Sequence, residues 1–107
     1  MRILFDQGTP VPLRKALVGH DVQTAYERGW AALQNGELLK TAEAAGFEAI
    51  VTTDQNLRYQ QNLADRKLAI LVLKTTDWRL IRAGMDRVVT AVGGLQSGGY
   101  VELDFGK

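Results

Sequence analysis

Three acidic side chains, far apart along the chain, have the type and placement that suit them to bind a divalent cation. Asp6 follows the apolar run "RILF", Asp54 follows "EAIVTT", and Glu37 stands in the first turn of a predicted helix. Carboxylates that gather in a cleft repel one another. A divalent ion that neutralises them can activate water and stabilise charge on a phosphate. The residues therefore indicate metal-assisted hydrolysis, if the fold brings them together.

The elements that must position these acids are predicted by apolar periodicity. Strands are predicted over "RILF", "HDVQTA", "EAIVTT", "KLAILVL" and "YVELDF", the last alternating like an edge strand. Thr9 is predicted to cap a short helix, Asn35 to cap a second helix that Gly46 ends, and Asp77 to cap a long one. "QNLRYQQNLADR" predicts a short polar helix, and "YERGWAALQ" an irregular segment that Trp30 holds to the core. This alternation predicts an open, mostly parallel α/β sheet covered by helices.

In such a sheet the carboxyl ends of the strands meet at one edge, where ligands usually bind. Asp6 and Asp54 follow the first and third strands, and Asp77 closely follows the fourth. The helix that begins at Asn35 must start at the same edge because it runs antiparallel to the strands. Glu37, in its first turn, is therefore expected near Asp6 and Asp54.

Each of these residues also has a purely structural explanation. Asp6 would accept hydrogen bonds from the backbone of its own turn, "DQG". Glu37 in a first helical turn is favoured by the helix dipole in any case. Capping of helix N-termini accounts for the other polar candidates, which are Asp54, Asp77, Asn35 and Asn56.

Composition narrows the chemistry further. The 107 residues suit one domain, predicted over 1–107, and the net charge of +1 gives no overall field that would attract nucleic acid. There is no cysteine and a single histidine, His20, so a metal would be held by oxygen, which favours Mg²⁺ or Mn²⁺. The start has no signal-peptide pattern and no stretch is long enough to span a membrane, so a cytoplasmic location is expected.

Most of the chain resembles the PIN-like domains, specifically the short bacterial type related to the nuclease toxins of toxin–antitoxin pairs. The resemblance runs from "MRILFDQG" through "NGELLKTAEAAGFEAIVTTDQNL" to "LAILVL". Its most specific part is a helix start, an alanine-rich helix, a glycine, an apolar strand and then T-x-D. It implies a three-layer α/β/α sandwich with a mostly parallel sheet of four to five strands. It also implies an acidic cluster that binds Mg²⁺ or Mn²⁺ and cleaves RNA.

Two positions match the metal ligands of this family directly. The aspartate after the first strand is Asp6, and the aspartate of the T-x-D element is Asp54. Where the family often has further acids, this chain has Asn35, with Glu37 two positions later, and Asn56. The metal and catalytic residues expected from the resemblance and the topology are therefore Asp6, Glu37 and Asp54, and the additional candidates are Asn35, Asn56 and Asp77.

The leading hypothesis is a Mg²⁺- or Mn²⁺-dependent endoribonuclease, with an antitoxin protein and a second copy of the chain as candidate partners. Arg58 would contact a phosphate of the RNA and Tyr59 would stack on a base, although a solvated helix face explains both. Two alternatives remain open. The asparagines favour a PIN-fold binding module without catalysis, and the acids after two strands superficially fit a phosphate-accepting receiver domain.

Overall fold

The computed structural model describes residues 1–55, 57 and 66–106. The candidates Asn56, Arg58 and Tyr59 lie outside these ranges, and so does most of the predicted polar helix. Within them the chain forms five strands, a 3-10 helix and three α-helices, in the following order: β1 (Arg2–Phe5), the 3-10 helix (Val11–Ala16), β2 (Asp21–Thr24), α1 (Asn35–Ala44), β3 (Ala49–Thr52), β4 (Ala69–Leu73), α2 (Trp78–Ala83), α3 (Met85–Gly93) and β5 (Tyr100–Leu103).

All five strands belong to one sheet, and every neighbouring pair is parallel. The strand order is β2-β1-β3-β4-β5, with Phe5 of β1 beside Thr24 of β2 and Val51 of β3. The predicted α/β class with a parallel sheet is confirmed. Because the chain moves outward from β1 to β2 and then returns to the other side of β1, the order reverses between β1 and β3. Such a reversal opens a crevice at the carboxyl ends of the two strands.

The strands are apolar on both faces because each face is covered. One buried cluster joins one side of the sheet to the 3-10 helix, α2 and α3, and includes Phe5, Leu13 and Ile81. The other joins the opposite side to α1 and includes Leu4 and Leu39. β3 and β4 are buried at every position, as expected for central strands of a parallel sheet. The layers are therefore helix, sheet and helix.

The irregular segment before α1 is held to the core by aromatic contacts, as predicted. Trp30 meets Phe47 edge to face, with ring centroids 5.9 Å apart. The guanidinium of Arg28 lies 4.7 Å from the Trp30 ring centroid, and that of Arg2 lies 4.6 Å from that of Phe47. A cation over an aromatic face contributes roughly 0.5–1 kcal/mol at exposed sites. These contacts fix the segment that separates β2 from α1.

Two predicted helix starts differ from the structure by one residue. The 3-10 helix has Pro10 at its N-cap position, while the Thr9 side chain bonds elsewhere. α1 is preceded by Gln34 as its N-cap, so Asn35 is its first residue. The end of α1 is as predicted, because Gly46 follows it with a φ of +90°, a conformation that glycine adopts without steric cost.

The single long helix predicted after Asp77 is wrong, because the structure has two helices there. α2 ends and α3 begins around Gly84. A Cβ at this position would lie 2.9 Å from ring atoms of Phe105. The apolar spacing continues across the break, so periodicity alone could not reveal it.

None of the helices within the described ranges combines the length and the apolar character that crossing a bilayer requires.

Candidate functional site

The site lies at the carboxyl ends of β1 and β3, where the strand order reverses. The backbone N–H of Asp6 donates to the carbonyl of Val51 at 3.1 Å, which joins the end of β1 to β3. β3 ends at Thr52, and Asp54 follows two residues later. Sequence reasoning placed Asp6 and Asp54 at this edge, and the structure brings both there.

The Asp6 carboxylate is held by donors from its own turn and from the neighbouring strand. Its Oδ1 accepts from the Gly8 N–H at 3.2 Å and from the Thr9 hydroxyl at 2.8 Å. Its Oδ2 accepts from the Thr52 hydroxyl. The expected bonding of Asp6 within the turn "DQG" is therefore present, together with a bond across the sheet that was not expected.

Thr52 links the two acids. Its hydroxyl donates to Asp6 and accepts from the backbone N–H of Asp54 at 3.1 Å. Thr9 lies in the same network, with its oxygen 2.8 Å from the Val51 carbonyl oxygen. Among the described residues, the buried polar side chains are Thr9, Thr24 and Thr52, and all three lie at this edge of the sheet. Buried polar side chains are thus found at the edge where a ligand is expected.

Burial raises the pKa of the Asp6 carboxyl, and repulsion from Asp54 adds to the increase. The hydrogen bonds from Thr52, Thr9 and Gly8 act in the opposite direction because they stabilise the charged form. Burial is the largest of these effects, so Asp6 retains its proton to a higher pH than an ordinary aspartate.

Glu37 lies in the first turn of α1 with its side chain exposed. α1 runs antiparallel to the strands, as predicted. Arg2, at the start of β1, donates to the carbonyl of Ala45, just after the end of α1, at 2.7 Å. In the described parts of the chain, however, no three side chains of the types His, Cys, Asp and Glu form a group that could hold a metal ion. The predicted set of Asp6, Glu37 and Asp54 is therefore not assembled, and the acids that the structure joins are Asp6 and Asp54.

Asp77, an additional site candidate, serves as a helix cap. Its Oδ1 accepts from the backbone N–H of Arg79 at 2.9 Å, at the start of α2. Its carboxylate also pairs with the Arg79 guanidinium at 3.3 Å. Hydrogen bonds from Arg79 lower the pKa of Asp77. The structural explanation offered for Asp77 is confirmed.

A hollow beside Asp6 contains side chains that sequence reasoning did not select. Its volume is about 230 Å³, and its lining residues include Asp6, Gln7, Val11, Arg14, Tyr26 and Glu27. Arg14 forms an ion pair of 3.1 Å with Glu27. The pattern T-x-x-E at 24–27, typical of a capping box, is the sequence signal that could have identified a fixed turn here.

No protein-family model matches the chain, and no curated protein or solved structure is significantly similar to it.

Proposed function

We propose that the protein is a PIN-like phosphodiesterase that acts on RNA with one Mg²⁺ or Mn²⁺ held by Asp6 and Asp54. The observation that supports this most directly is the pairing of these two acids through Thr52 at the reversal point of a parallel sheet. Acidic oxygens concentrated there, with buried hydroxyls around them, are suited to a hard cation and its phosphate ligand.

The donor set fits one such ion. Mg²⁺ in proteins is commonly held by one or two carboxylates, with water and substrate phosphates completing its shell. Asp6 accepts three hydrogen bonds, and a carboxylate has about four acceptor positions, so one position remains. A bound ion would offset the repulsion between Asp6 and Asp54, activate water and stabilise negative charge on the phosphate.

The protein's own contribution is orientation. Thr52 fixes the position of Asp6 Oδ2 and of the Asp54 backbone at the same time. Gly8 and Thr9 fix Oδ1 from the other side. Because these partners are themselves buried or part of the backbone, the Asp6 carboxylate is held in place before any ligand arrives.

Manganese titration and RNA cleavage test this function together. Wild type is expected to bind Mn²⁺ saturably and to cleave single-stranded RNA, and Asp6→Asn and Asp54→Asn are expected to lose both properties. Asp86→Asn is the matched control, since Asp86 is an exposed acid in the first turn of α3. Cleavage that persists in Asp6→Asn, or that a chelator does not stop, would contradict the proposal.

A binding module without catalysis is the second candidate, and one observation favours it. The carboxylate oxygens of Asp6 already accept hydrogen bonds, and burial raises the pKa of Asp6. Both effects weaken the binding of a cation by this side chain. This candidate predicts RNA binding that Mn²⁺ does not alter, with no cleavage at any metal concentration.

A further inference from the structure

Tyr26 is the feature of the candidate site that the proposed function does not yet use. Its side chain is 77% exposed, although the preceding residue, Ala25, is buried. A large aromatic ring left in water gives up the stabilisation that burial would provide. It lies just past the end of β2, so it is at the same edge of the sheet as Asp6.

The turn that carries Tyr26 is locked by reciprocal hydrogen bonds. The Thr24 N–H donates to Glu27 Oε1 at 3.0 Å, and the Glu27 N–H donates to Thr24 Oγ1 at 3.0 Å. This is the capping-box arrangement. Arg14 also donates to Glu27 Oε1 at 3.1 Å, which ties the turn to the 3-10 helix. The backbone of Tyr26 is thus fixed in advance, so a ligand would pay little of the cost of ordering it.

The surroundings of the ring combine apolar and cationic groups. The hollow of about 230 Å³ between Tyr26 and Asp6 has Val11 and Arg14 in its lining. A second hollow of about 460 Å³ shares Val11 and Arg14 and adds Lys15. Arg14 keeps its side chain beside Glu27, while Lys15 is exposed. The surface therefore offers an aromatic face and two cations next to a carboxylate pair.

We propose that Tyr26 stacks on a base of single-stranded RNA and places the neighbouring phosphate at Asp6, with Arg14 and Lys15 beside the sugar–phosphate chain. This inference rests on the proposed function, whose substrate contact it specifies. An aromatic platform next to basic side chains is the combination by which proteins hold single strands without reading their sequence. A duplex, whose bases are already stacked, would not offer a base to the ring.

Binding without cleavage is the direct test. Fluorescence anisotropy with a short labelled single-stranded RNA, in the presence of a chelator, measures affinity for wild type, Tyr26→Ala and Tyr26→Phe. Tyr26→Ala is expected to weaken binding about tenfold, and Tyr26→Phe to preserve it because the ring remains. Val18→Ala is the matched control, since Val18 is 86% exposed but lies before β2, at the opposite edge of the sheet.

An abasic strand of the same length separates stacking from charge. Tyr26→Ala should not weaken binding of the abasic strand, because its phosphates are intact and no base is present. An equal loss for both strands, or an unchanged affinity for the normal strand, would overturn the inference.

RNA cleavage in the presence of Mn²⁺ tests the proposed function separately. Cleavage by wild type with an unchanged KM in Tyr26→Ala would leave the function standing and refute the stacking role. Tyr26-dependent binding without cleavage would support the stacking role and refute the catalytic proposal.

Discussion

The fold has opposing effects on the charged form of the Asp6 carboxyl group. Burial and the nearby Asp54 disfavour its charge, while three hydrogen-bond donors favour it. Burial is the larger effect, so the pKa of Asp6 in the folded protein is higher than the ordinary value of about 3.9. The carboxyl group therefore binds its proton more tightly in the folded than in the unfolded chain, which makes its contribution to stability depend on pH.

The sign of this dependence follows from linkage. A carboxyl group with a raised pKa contributes stability that is fully present below its unfolded pKa and is lost as pH rises through its folded pKa. We expect the free energy of unfolding of wild type, relative to Asp6→Asn, to increase as pH falls from about 7 to about 4. Urea denaturation of both proteins across this range measures the difference.

The comparison with Asp6→Asn is needed because other acids act in the opposite direction. Hydrogen bonds lower the pKa values of Glu27 and Asp77, so their contributions are lost as pH falls through their folded pKa values. These contributions are common to wild type and Asp6→Asn, so they cancel when the free energy of unfolding of the variant is subtracted from that of wild type. A difference that stays constant with pH, or that grows as pH rises, would show that burial does not dominate at Asp6.

Thr52 is expected to stabilise the site through its hydroxyl and not through its shape. Thr52→Val keeps the volume and the preference for strand, but it removes a donor to Asp6 and an acceptor for the Asp54 N–H. We expect a loss of about 1–3 kcal/mol in the free energy of unfolding, together with a further increase in the pKa of Asp6. Urea denaturation and an NMR titration of the Asp6 carboxyl carbon measure the two effects.

Thr90→Val is the matched control for this substitution, because Thr90 is exposed on α3. Its effect on stability is expected to be small. If the two variants lose the same free energy, the Thr52 hydroxyl has no special role in the site.

At the residue scale, the sequence predicted the acids and the bond of Asp6 to its own turn, but not the partner across the sheet. An acid directly after an apolar run is a local pattern, and Asp6 and Asp54 were found in this way. The hydroxyl of Thr52 reaches Asp6 only because β1 and β3 are neighbours, and that neighbour relationship depends on the whole sheet. The T-x-x-E pattern that marks the turn carrying Tyr26 is local in sequence. The position of this turn beside Asp6, however, depends on the pairing of β1 with β2.

At the scale of elements, α1 is joined to the start of β4 by one side chain. Glu43 Oε1 accepts from the backbone N–H groups of Lys67 and Leu68, at 2.9 and 3.0 Å. These donors lie just before β4, and Leu68 is buried. One carboxylate therefore fixes where β4 begins relative to the helix that covers it.

Replacing this carboxylate tests the connection. Glu43→Ala is expected to lower the free energy of unfolding by about 1–3 kcal/mol because two backbone donors lose their acceptor. Ala is at least as favourable as Glu in a helix, so a loss cannot be attributed to helix propensity. Glu43→Gln, which retains an acceptor oxygen, should recover part of it. Urea denaturation measures all three proteins, and amide hydrogen exchange at Leu68 should accelerate in Glu43→Ala alone.

The predicted elements show where local patterns are sufficient. β1 coincides with its predicted run, and the other strands lie within theirs, because continuous or alternating apolar residues specify a strand directly. The predicted long helix divides at Gly84, where the ring of Phe105, from a segment beyond β5, lies too close to leave room for a Cβ. A long-range contact of this kind leaves no trace in the periodicity of the helix itself.

At the scale of the whole molecule, the strand order decides which residues can share a site. The sequence predicted parallel strands with their carboxyl ends at one edge, but not that β1 and β3 would flank the reversal point. That order places Asp6 next to Thr52 and Asp54, and it places the β2 turn on the other side of Asp6. Glu37 lies in the first turn of α1, which begins at this edge, but within the described residues it does not form a metal-binding group with the two acids.

The weak overall charge leads to a final prediction about RNA binding. With a net charge of +1, attraction to RNA must come from local cations, which the proposed surface supplies as Arg14 and Lys15. Two phosphate contacts on a single strand predict a slope of about −1.4 in a plot of log K against log salt concentration. Lys15→Gln should reduce this slope by about 0.7, whereas Lys40→Gln, at an exposed position on α1, should leave it unchanged. The loss caused by Tyr26→Ala should be the same at every salt concentration, because stacking releases no counterions. A slope much steeper than predicted, or equal effects of the two lysine substitutions, would place the RNA on a different surface of the molecule.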